Sequence, residues 1–296
     1  MISTFVIFLR EGVEASMIIA ILLAYLDQSG HREQFKHIYA GVISALVLVA
    51  LGGVGAYLFV RHYDGSRVQT IFETGTYLVA AVALCYTTFW MQSHARTISS
   101  ELRAKEEAAL ASGSHWSLTM LAFTAVGREG LETMVFTLAI IFASSGQAVT
   151  PVHGPLLIVG ATLGLAVALV VAFLIYKLGR KLKLAVFFRV LGLALVLFAA
   201  GLIADAVENL QQLGWLPFGR HVLWNSSSVM TESSSVGDVF HSLLGYAERP
   251  TVLQALCYVV YLVVSLSFFW YLAKRQRHGQ AGKLTTPRDP KMPRTV

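Results

Sequence analysis

Long apolar segments alternate with short polar ones along nearly the whole chain. A helix of about 20 apolar residues crosses the hydrocarbon core of a bilayer, because it rises 1.5 Å per residue. Charged residues make up only 14% of the chain, against about 25% in soluble domains. The pattern predicts an all-α, polytopic membrane protein with about seven transmembrane helices. They lie at about 3–26, 38–60, 73–91, 118–142, 155–176, 184–204 and 251–273.

Basic residues fall mostly on one side of this predicted bundle. Of the 23 Lys and Arg residues, 17 lie in alternate loops and in the C-terminal tail, whereas 4 lie on the opposite side. Basic loops remain in the cytoplasm. We therefore expect a cytoplasmic C-terminus and an external N-terminus. The net charge of +6 is not gathered on a soluble domain, so no nucleic-acid partner is expected.

One charged pentapeptide occurs twice. Arg-Glu-Gly-Val-Glu at 10–14 recurs as Arg-Glu-Gly-Leu-Glu at 128–132, and the same offset carries the second and third segments onto the fifth and sixth. The chain therefore reads as a three-plus-three repeat with one C-terminal helix added. Because three is odd, the halves have opposite orientations, as in inverted-repeat transporters whose substrate site lies near the midplane.

Both pentapeptides lie inside predicted spans, where ionisable groups are costly and usually functional. Within each copy the two glutamates are three residues apart and share a helix face, and the arginine can pair with the second glutamate. The four carboxylates outnumber the two guanidinium groups, so a bound cation would reduce the repulsion among the carboxylates. Carboxylates favour hard or borderline ions such as Mg²⁺, Ca²⁺, Mn²⁺ and iron. The other interpretation is that the Arg–Glu pairs only hold helices together.

Two such motifs on the first and fourth of seven helices resemble the oxidase-dependent iron transporter (iron/lead permease) family, and most closely its bacterial ferrous-iron permease type. Phe72-Glu73, Gly245-Tyr246 and Pro250 add to the likeness. The resemblance implies high-affinity iron uptake across the cytoplasmic (inner) membrane. It also implies a periplasmic iron-binding protein or oxidase as partner. A lead-transporting branch shares the motif.

The resemblance also assigns roles to individual residues. The expected iron ligands are Glu11, Glu14, Glu129 and Glu132, and the expected charge-balancing residues are Arg10 and Arg128. Glu73, Asp205 and Glu208 are expected to be first contacts for the ion on the outer face. Asp238 and His241 are weaker candidates for outer ligands.

Two alternatives remain open at this stage. The first is transport of another cation, namely Pb²⁺, Mn²⁺ or Ca²⁺. The second is a membrane-embedded reductase, but haem needs paired axial ligands within the spans, and the 9 histidines fall in loops or at span ends. We expect no enzymatic activity and no cofactor, with iron as the transported substrate.

The predicted organisation is one permease domain at 1–275 followed by a disordered cytoplasmic tail at 276–296. Within the domain, repeat one covers about 1–92, repeat two about 115–206, an outer loop 206–250, and the seventh helix 251–273.

Overall fold

The computed structural model of the protein describes residues 1–63, 65–94, 98–111, 115–145, 153–178, 184–231 and 234–284. Within these residues the chain is α-helical and contains no strand, apart from one isolated bridge between Val222 and Thr251. The described helices are α1 (Ile2–Gln28), α2 (Phe35–His62), α3 (Arg67–His94), α4 (Ile98–Ala111), α5 (His115–Ser145), α6 (His153–Leu178), α7 (Leu184–Gln212), α8 (Ser235–Leu244) and α9 (Val252–Leu284).

Helices α1, α2, α3, α5, α6, α7 and α9 cover the seven predicted spans, so the prediction of an all-α polytopic membrane protein is confirmed. Among the described residues, four segments are long and apolar enough to cross a membrane by composition alone: Arg32–His62, Arg67–Met91, Pro155–Phe173 and Val190–Gln212. Helices α1 and α5 are also long enough, with 27 and 31 residues. Each carries the three charged residues of a motif, which distinguishes it from the apolar windows of the other four.

Three features of the structure differ from the sequence prediction. Helix α4 lies in the loop between the two repeats and was not predicted. The outer loop contains a short helix, α8. Helix α9 runs on to Leu284, so the segment 276–284, predicted as a disordered tail, is helical. The sequence from Ala273 to Lys283 contains no proline, which allows the helix to continue.

The main helix pairs of the bundle each join one helix of the first repeat to one helix of the second. Helix α1 packs mainly on α6 of the second repeat, and α5 packs mainly on α2 of the first. Both pairs run parallel. In the first pair Phe5 lies beside Gly164 and Gly12 lies beside Ala168, so the residue numbers increase together along both helices. In the second pair Gly41 lies beside Thr119 and Val49 lies beside Gly130, with the same result. Consecutive crossings such as α1 and α2 run in opposite directions, so α5 is antiparallel to α1. The arrangement has the inverted symmetry that the sequence predicted.

Glycines allow the close approach of both parallel pairs. A Cβ on Gly164 of α6 would lie 2.6 Å from the backbone oxygen of Phe5. A Cβ on Gly130 of α5 would lie 2.9 Å from the Val49 side chain of α2, and one on Gly12 would lie 2.8 Å from Ala168. Small residues of this kind let membrane helices pack backbone to backbone. The motif glycines therefore hold each motif against the opposite repeat.

The outer segment after α7 is ordered by polar contacts and folds onto the bundle. The Tyr246 hydroxyl lies 2.5 Å from the Ser226 hydroxyl and donates to the Met230 carbonyl at 2.9 Å. Gly245 ends α8 in the left-handed conformation, with φ of 66°, and its backbone touches Gly201 of α7. Helix α8 packs on α7 and also reaches α1 and α5.

Candidate metal centre

The first motif is buried at the centre of α1. Its charged side chains are almost inaccessible to solvent, with exposed fractions of 2% for Arg10, 2% for Glu11 and 9% for Glu14. The glutamates share one helix face because they are three residues apart. The apolar flanks of α1 pack on α6 and α5, which encloses this face between the two repeats.

Three motif glutamates converge across the two repeats. Glu11, Glu14 and Glu129 each offer a carboxylate oxygen, and these oxygens all lie within 4.8 Å of one another. Glu129 is itself only 6% exposed. Among the described residues this is the single group of three or more His, Cys, Asp or Glu side chains close enough to hold one metal ion. Two antiparallel helices therefore deliver hard oxygen ligands to one point.

Arg10 neutralises part of this cluster. Its Nη1 atom lies 2.7 Å from Oε1 of Glu11, and its Nε atom lies 3.1 Å from Oε1 of Glu14. The pairing with Glu14 was predicted from the helical spacing. The additional pairing with Glu11 was not predicted.

The second motif is arranged differently. Arg128 pairs with Glu132 through Nε and Oε1 at 3.2 Å, as the spacing predicted. The Arg128 side chain is 44% exposed, and Glu132 stands outside the group of three converging glutamates. Within the described residues, Glu129 has no arginine or lysine partner within 4.0 Å.

The cluster holds more charge than its protein partners satisfy. Oε2 of Glu11 and Nη2 of Arg10 are buried and have no hydrogen-bond partner in the described structure, and the same holds for Oε2 of Glu132 beside the cluster. A buried polar atom without a partner costs about 1–3 kcal/mol, and more when it is charged. Three carboxylates with one guanidinium group therefore form a site that a cation would stabilise.

Cavities border the cluster on two sides. One, of about 530 Å³, lies between α1, α2 and α5 and is lined by Glu11 and Glu129 among mostly apolar residues. The other, of about 310 Å³, is lined by Glu14, Glu129 and Arg128 and also by Glu101 and Lys105 of α4. Glu129 borders both cavities, so an ion bound to it could be reached from either side.

The sequence of the whole bundle matches one family. The model of the iron permease FTR1 family matches residues 1–277. The chain belongs to the iron permease FTR1 family. It is 33% identical over 289 residues to the ferrous iron permease EfeU of Yersinia pseudotuberculosis serotype I (strain IP32953), which covers 95% of this chain and 97% of the relative.

Other relatives of the permease carry the same name. The chain is 32% identical over 270 residues to ferrous iron permease EfeU of Escherichia coli O157:H7, covering 90% of this chain and 94% of the relative. It is 32% identical over 282 residues to that of Yersinia pestis, covering 94% and 95%. No solved structure matches the chain significantly. The predicted family is confirmed, and it is a family of iron permeases, which are transporters.

The three acidic residues predicted for the outer face all influence one tyrosine electrostatically. Glu73 of α3 and Asp205 and Glu208 of α7 all lie within electrostatic range of Tyr77. Each glutamate is also held by an amide: Gln69 donates to Glu73 at 2.8 Å, and Gln254 of α9 donates to Glu208 at 2.8 Å. In the described structure the three acids are neighbours but do not converge on one point as the motif glutamates do.

Of the two weaker candidates, only His241 has a side chain that the structure describes. His241 of α8 makes a 2.7 Å hydrogen bond between Nδ1 and the Tyr246 carbonyl, which fixes its ring. The side chain of Asp238 lies outside the described residues.

Sequence reasoning missed Trp90 of α3, whose ring lies 4.9 Å from Cζ of Arg128, and Glu101 of α4, which lines the smaller cavity. Neither residue has a local motif that could have revealed its role. Their importance depends on how α3 and α4 pack beside α5.

Proposed function

We propose that this chain carries iron ions across the cytoplasmic membrane, with Glu11, Glu14 and Glu129 as the ligands of the ion within the bilayer. The observation that carries the proposal is the convergence of these three buried carboxylates within 4.8 Å. The names of the relatives supply the identity of the ion, since each is a ferrous iron permease. Arg10 and Arg128 would balance part of the negative charge, and Glu132, which pairs with Arg128, would be a further ligand beside this group.

The chemistry of the cluster is consistent with iron. Carboxylate oxygens bind hard and borderline cations, including Fe²⁺, Fe³⁺, Mn²⁺ and Ca²⁺. No described Cys or His joins the group, so its ligands are oxygens. Selection between iron and Pb²⁺, Mn²⁺ or Ca²⁺ would then depend on the size and rigidity of the site.

We infer a route from the outer face to the cytoplasm. Glu73, Asp205 and Glu208 attract the ion on the outer face, where negative charge raises the local cation concentration. The ion then binds at the motif glutamates. Rocking of α1 and α6 against α2 and α5 would open the site alternately to the two sides.

The direction of this route rests on the orientation of the chain in the cytoplasmic (inner) membrane. The excess of Lys and Arg in alternate loops and in the tail favours an external N-terminus and a cytoplasmic C-terminus. In that orientation α4, whose Ala109 and Leu110 pack near Leu22 and Leu26 at the end of α1, lies on the cytoplasmic side. The smaller cavity would then be the inner exit.

A partner outside the membrane would supply the ion. We propose a periplasmic iron-binding protein or an oxidase that releases iron near the outer acidic residues. Such a partner would dock where the segment after α7 is exposed, for example at Trp215 and Trp224, which are 60% and 52% exposed.

The decisive experiment is uptake of radioactive iron, supplied as Fe²⁺ and as Fe³⁺, into proteoliposomes. Wild type, Glu129→Gln and the control Glu107→Gln are compared, since Glu107 is an exposed carboxylate on α4 and does not line either cavity. We expect uptake by wild type and Glu107→Gln and none by folded Glu129→Gln. Equal uptake by all three would move the ion site elsewhere. Uptake of Mn²⁺ or Pb²⁺ but not iron would mean that the assigned metal is wrong.

A further inference from the structure

The two motifs are nearly identical in sequence, yet their arginines have different partners. Arg10 is buried and contacts both glutamates of its own motif. Arg128 forms an ion pair with Glu132 of its own motif, and the described structure contains no ion pair within 4.0 Å between Arg128 and Glu129. The contact between Arg10 and Glu11, at 2.7 Å, shows that an arginine can reach the glutamate that follows it in a helix. Something outside the motif therefore decides the position of Arg128.

That difference coincides with an aromatic ring from another helix. Cζ of Arg128 lies 4.9 Å from the centroid of the Trp90 ring on α3. A guanidinium group at this distance from an indole is attracted by the negative face of the ring, and tryptophan is the strongest of the aromatic partners. Trp90 and Arg128 line the same cavity as Glu129 and Glu14. The ring and the ion pair with Glu132 together hold Arg128 at the wall of this cavity.

The position of Arg128 controls the charge that a transported ion meets. A guanidinium group beside a carboxylate competes with a metal cation for the same oxygens, because both interactions are electrostatic. Glu11 and Glu14 already share Arg10. Glu129 is the member of the cluster that has no arginine contact in the described structure, and it is the one that borders both cavities.

We propose that Trp90 is a positioning residue of the ion site: it holds Arg128 away from Glu129 and so keeps that carboxylate available to the cation. The proposal rests on the function proposed above, in which Glu129 binds the ion. It predicts that a permease without the indole would let Arg128 pair with Glu129, as Arg10 pairs with Glu11, and would bind cations more weakly.

The test is a double-mutant cycle on the purified full-length chain in detergent. Dissociation constants for Fe²⁺ under anaerobic conditions, and for Mn²⁺, are measured by titration calorimetry for wild type, Trp90→Leu, Arg128→Gln and the double variant. We expect Trp90→Leu to weaken binding roughly tenfold. In the Arg128→Gln background the same change should have no further effect, because no guanidinium group is left to misplace.

Two further variants separate positioning from packing. Trp90→Phe retains an aromatic ring with weaker attraction for a cation, and should fall between wild type and Trp90→Leu. It also supplies the comparison if Trp90→Leu does not fold. Trp116→Leu is the matched control, since Trp116 is a 67% exposed tryptophan on α5. It should bind as wild type does.

The outcomes distinguish this proposal from the function on which it rests. Unchanged binding in folded Trp90→Leu, or in Trp90→Phe if the leucine variant does not fold, would overturn the role of Trp90. An equal loss with and without Arg128 would also overturn it, since that result indicates packing alone. Wild-type binding of Mn²⁺ without iron uptake would contradict the proposed iron transport, while the cycle measured with Mn²⁺ would still decide the role of Trp90.

Discussion

The Nη1 atom of Arg10 lies 2.7 Å from Oε1 of Glu11, and each of these two residues is 2% exposed. Two opposite charges are thus enclosed in an apolar bundle, and a third, that of Glu14, shares the same guanidinium group. Removing one partner from such a buried group lowers the stability of the protein by far more than the intact ion pairs contribute to it. The charges left behind have neither water nor a counterion.

Replacing Arg10 by leucine should therefore destabilise the protein by about 3–5 kcal/mol, because Glu11 and Glu14 lose their cation. The equivalent change Arg128→Leu should cost less, because Arg128 is 44% exposed and its loss leaves one carboxylate, that of Glu132, without its cation instead of two. Thermal unfolding in detergent, followed by loss of monodisperse protein, measures both. Equal losses for the two variants would contradict the asymmetry of the motifs.

The glutamates of the motifs should differ in their effect on metal binding. Glu11→Gln, Glu14→Gln and Glu129→Gln each remove a negative ligand from the group within 4.8 Å and should weaken Mn²⁺ or Fe²⁺ binding at least tenfold, or about 1.4 kcal/mol. Glu132→Gln removes an acid that already pairs with Arg128 and should have a smaller effect. Calorimetric titration of the four variants checks this order. A loss for Glu132→Gln as large as for Glu129→Gln would place Glu132 in the primary site.

The parallel crossing of α1 and α6 should tolerate no added side chain at Gly164. A Cβ there would lie 2.6 Å from the Phe5 carbonyl oxygen and 3.0 Å from the Leu9 nitrogen, so Gly164→Ala should cost about 1–3 kcal/mol by overpacking. Gly55→Ala on α2 is the matched control, because nothing lies within 4 Å of its Cβ position. Alanine at position 55 should be neutral or slightly stabilising. Thermal unfolding of both variants, compared with wild type, is the measurement.

The proposed orientation can be tested with single cysteines in a chain whose Cys85 and Cys257 have been replaced. Ser228→Cys lies in the exposed segment after α7, and His31→Cys lies in the exposed connection between α1 and α2. A membrane-impermeant maleimide should label position 228 in cells with a permeable outer envelope. It should label position 31 only after the cytoplasmic membrane is opened. The reverse pattern would invert the topology inferred from the Lys and Arg distribution.

Much of the fold was predictable because membrane helices can be recognised in a sequence from the length and composition of its apolar segments. The apolar runs gave seven helices in the correct places, and the repeated pentapeptide gave the inverted repeat. Helix α4 was not predicted because it is polar, with Glu101 and Lys105 exposed. It lies between the two repeats, where the sequence predicted a loop. The continuation of α9 to Leu284 escaped because a helix outside the bilayer needs no apolar run.

The sequence by itself determined the class of protein, the family and the residues that could bind a cation. These follow from local rules: an ionisable residue in an apolar helix is retained only for a reason, and spacing decides which side chains share a face. The pairing of Arg10 with Glu14, and of Arg128 with Glu132, followed from the same rules.

Only the tertiary structure decided which glutamates meet and which stand apart. The sequence treats the two motifs as equivalent, but Arg10 is enclosed between α1 and the opposite repeat, whereas Arg128 faces a cavity and the ring of Trp90. The distance between Glu14 and Glu129 depends on how α1 and α5 are placed, and each of these helices packs on the opposite repeat through a small residue, Gly12 against α6 and Gly130 against α2. Packing between distant segments is not encoded in any local pattern, so the site had to be seen in three dimensions.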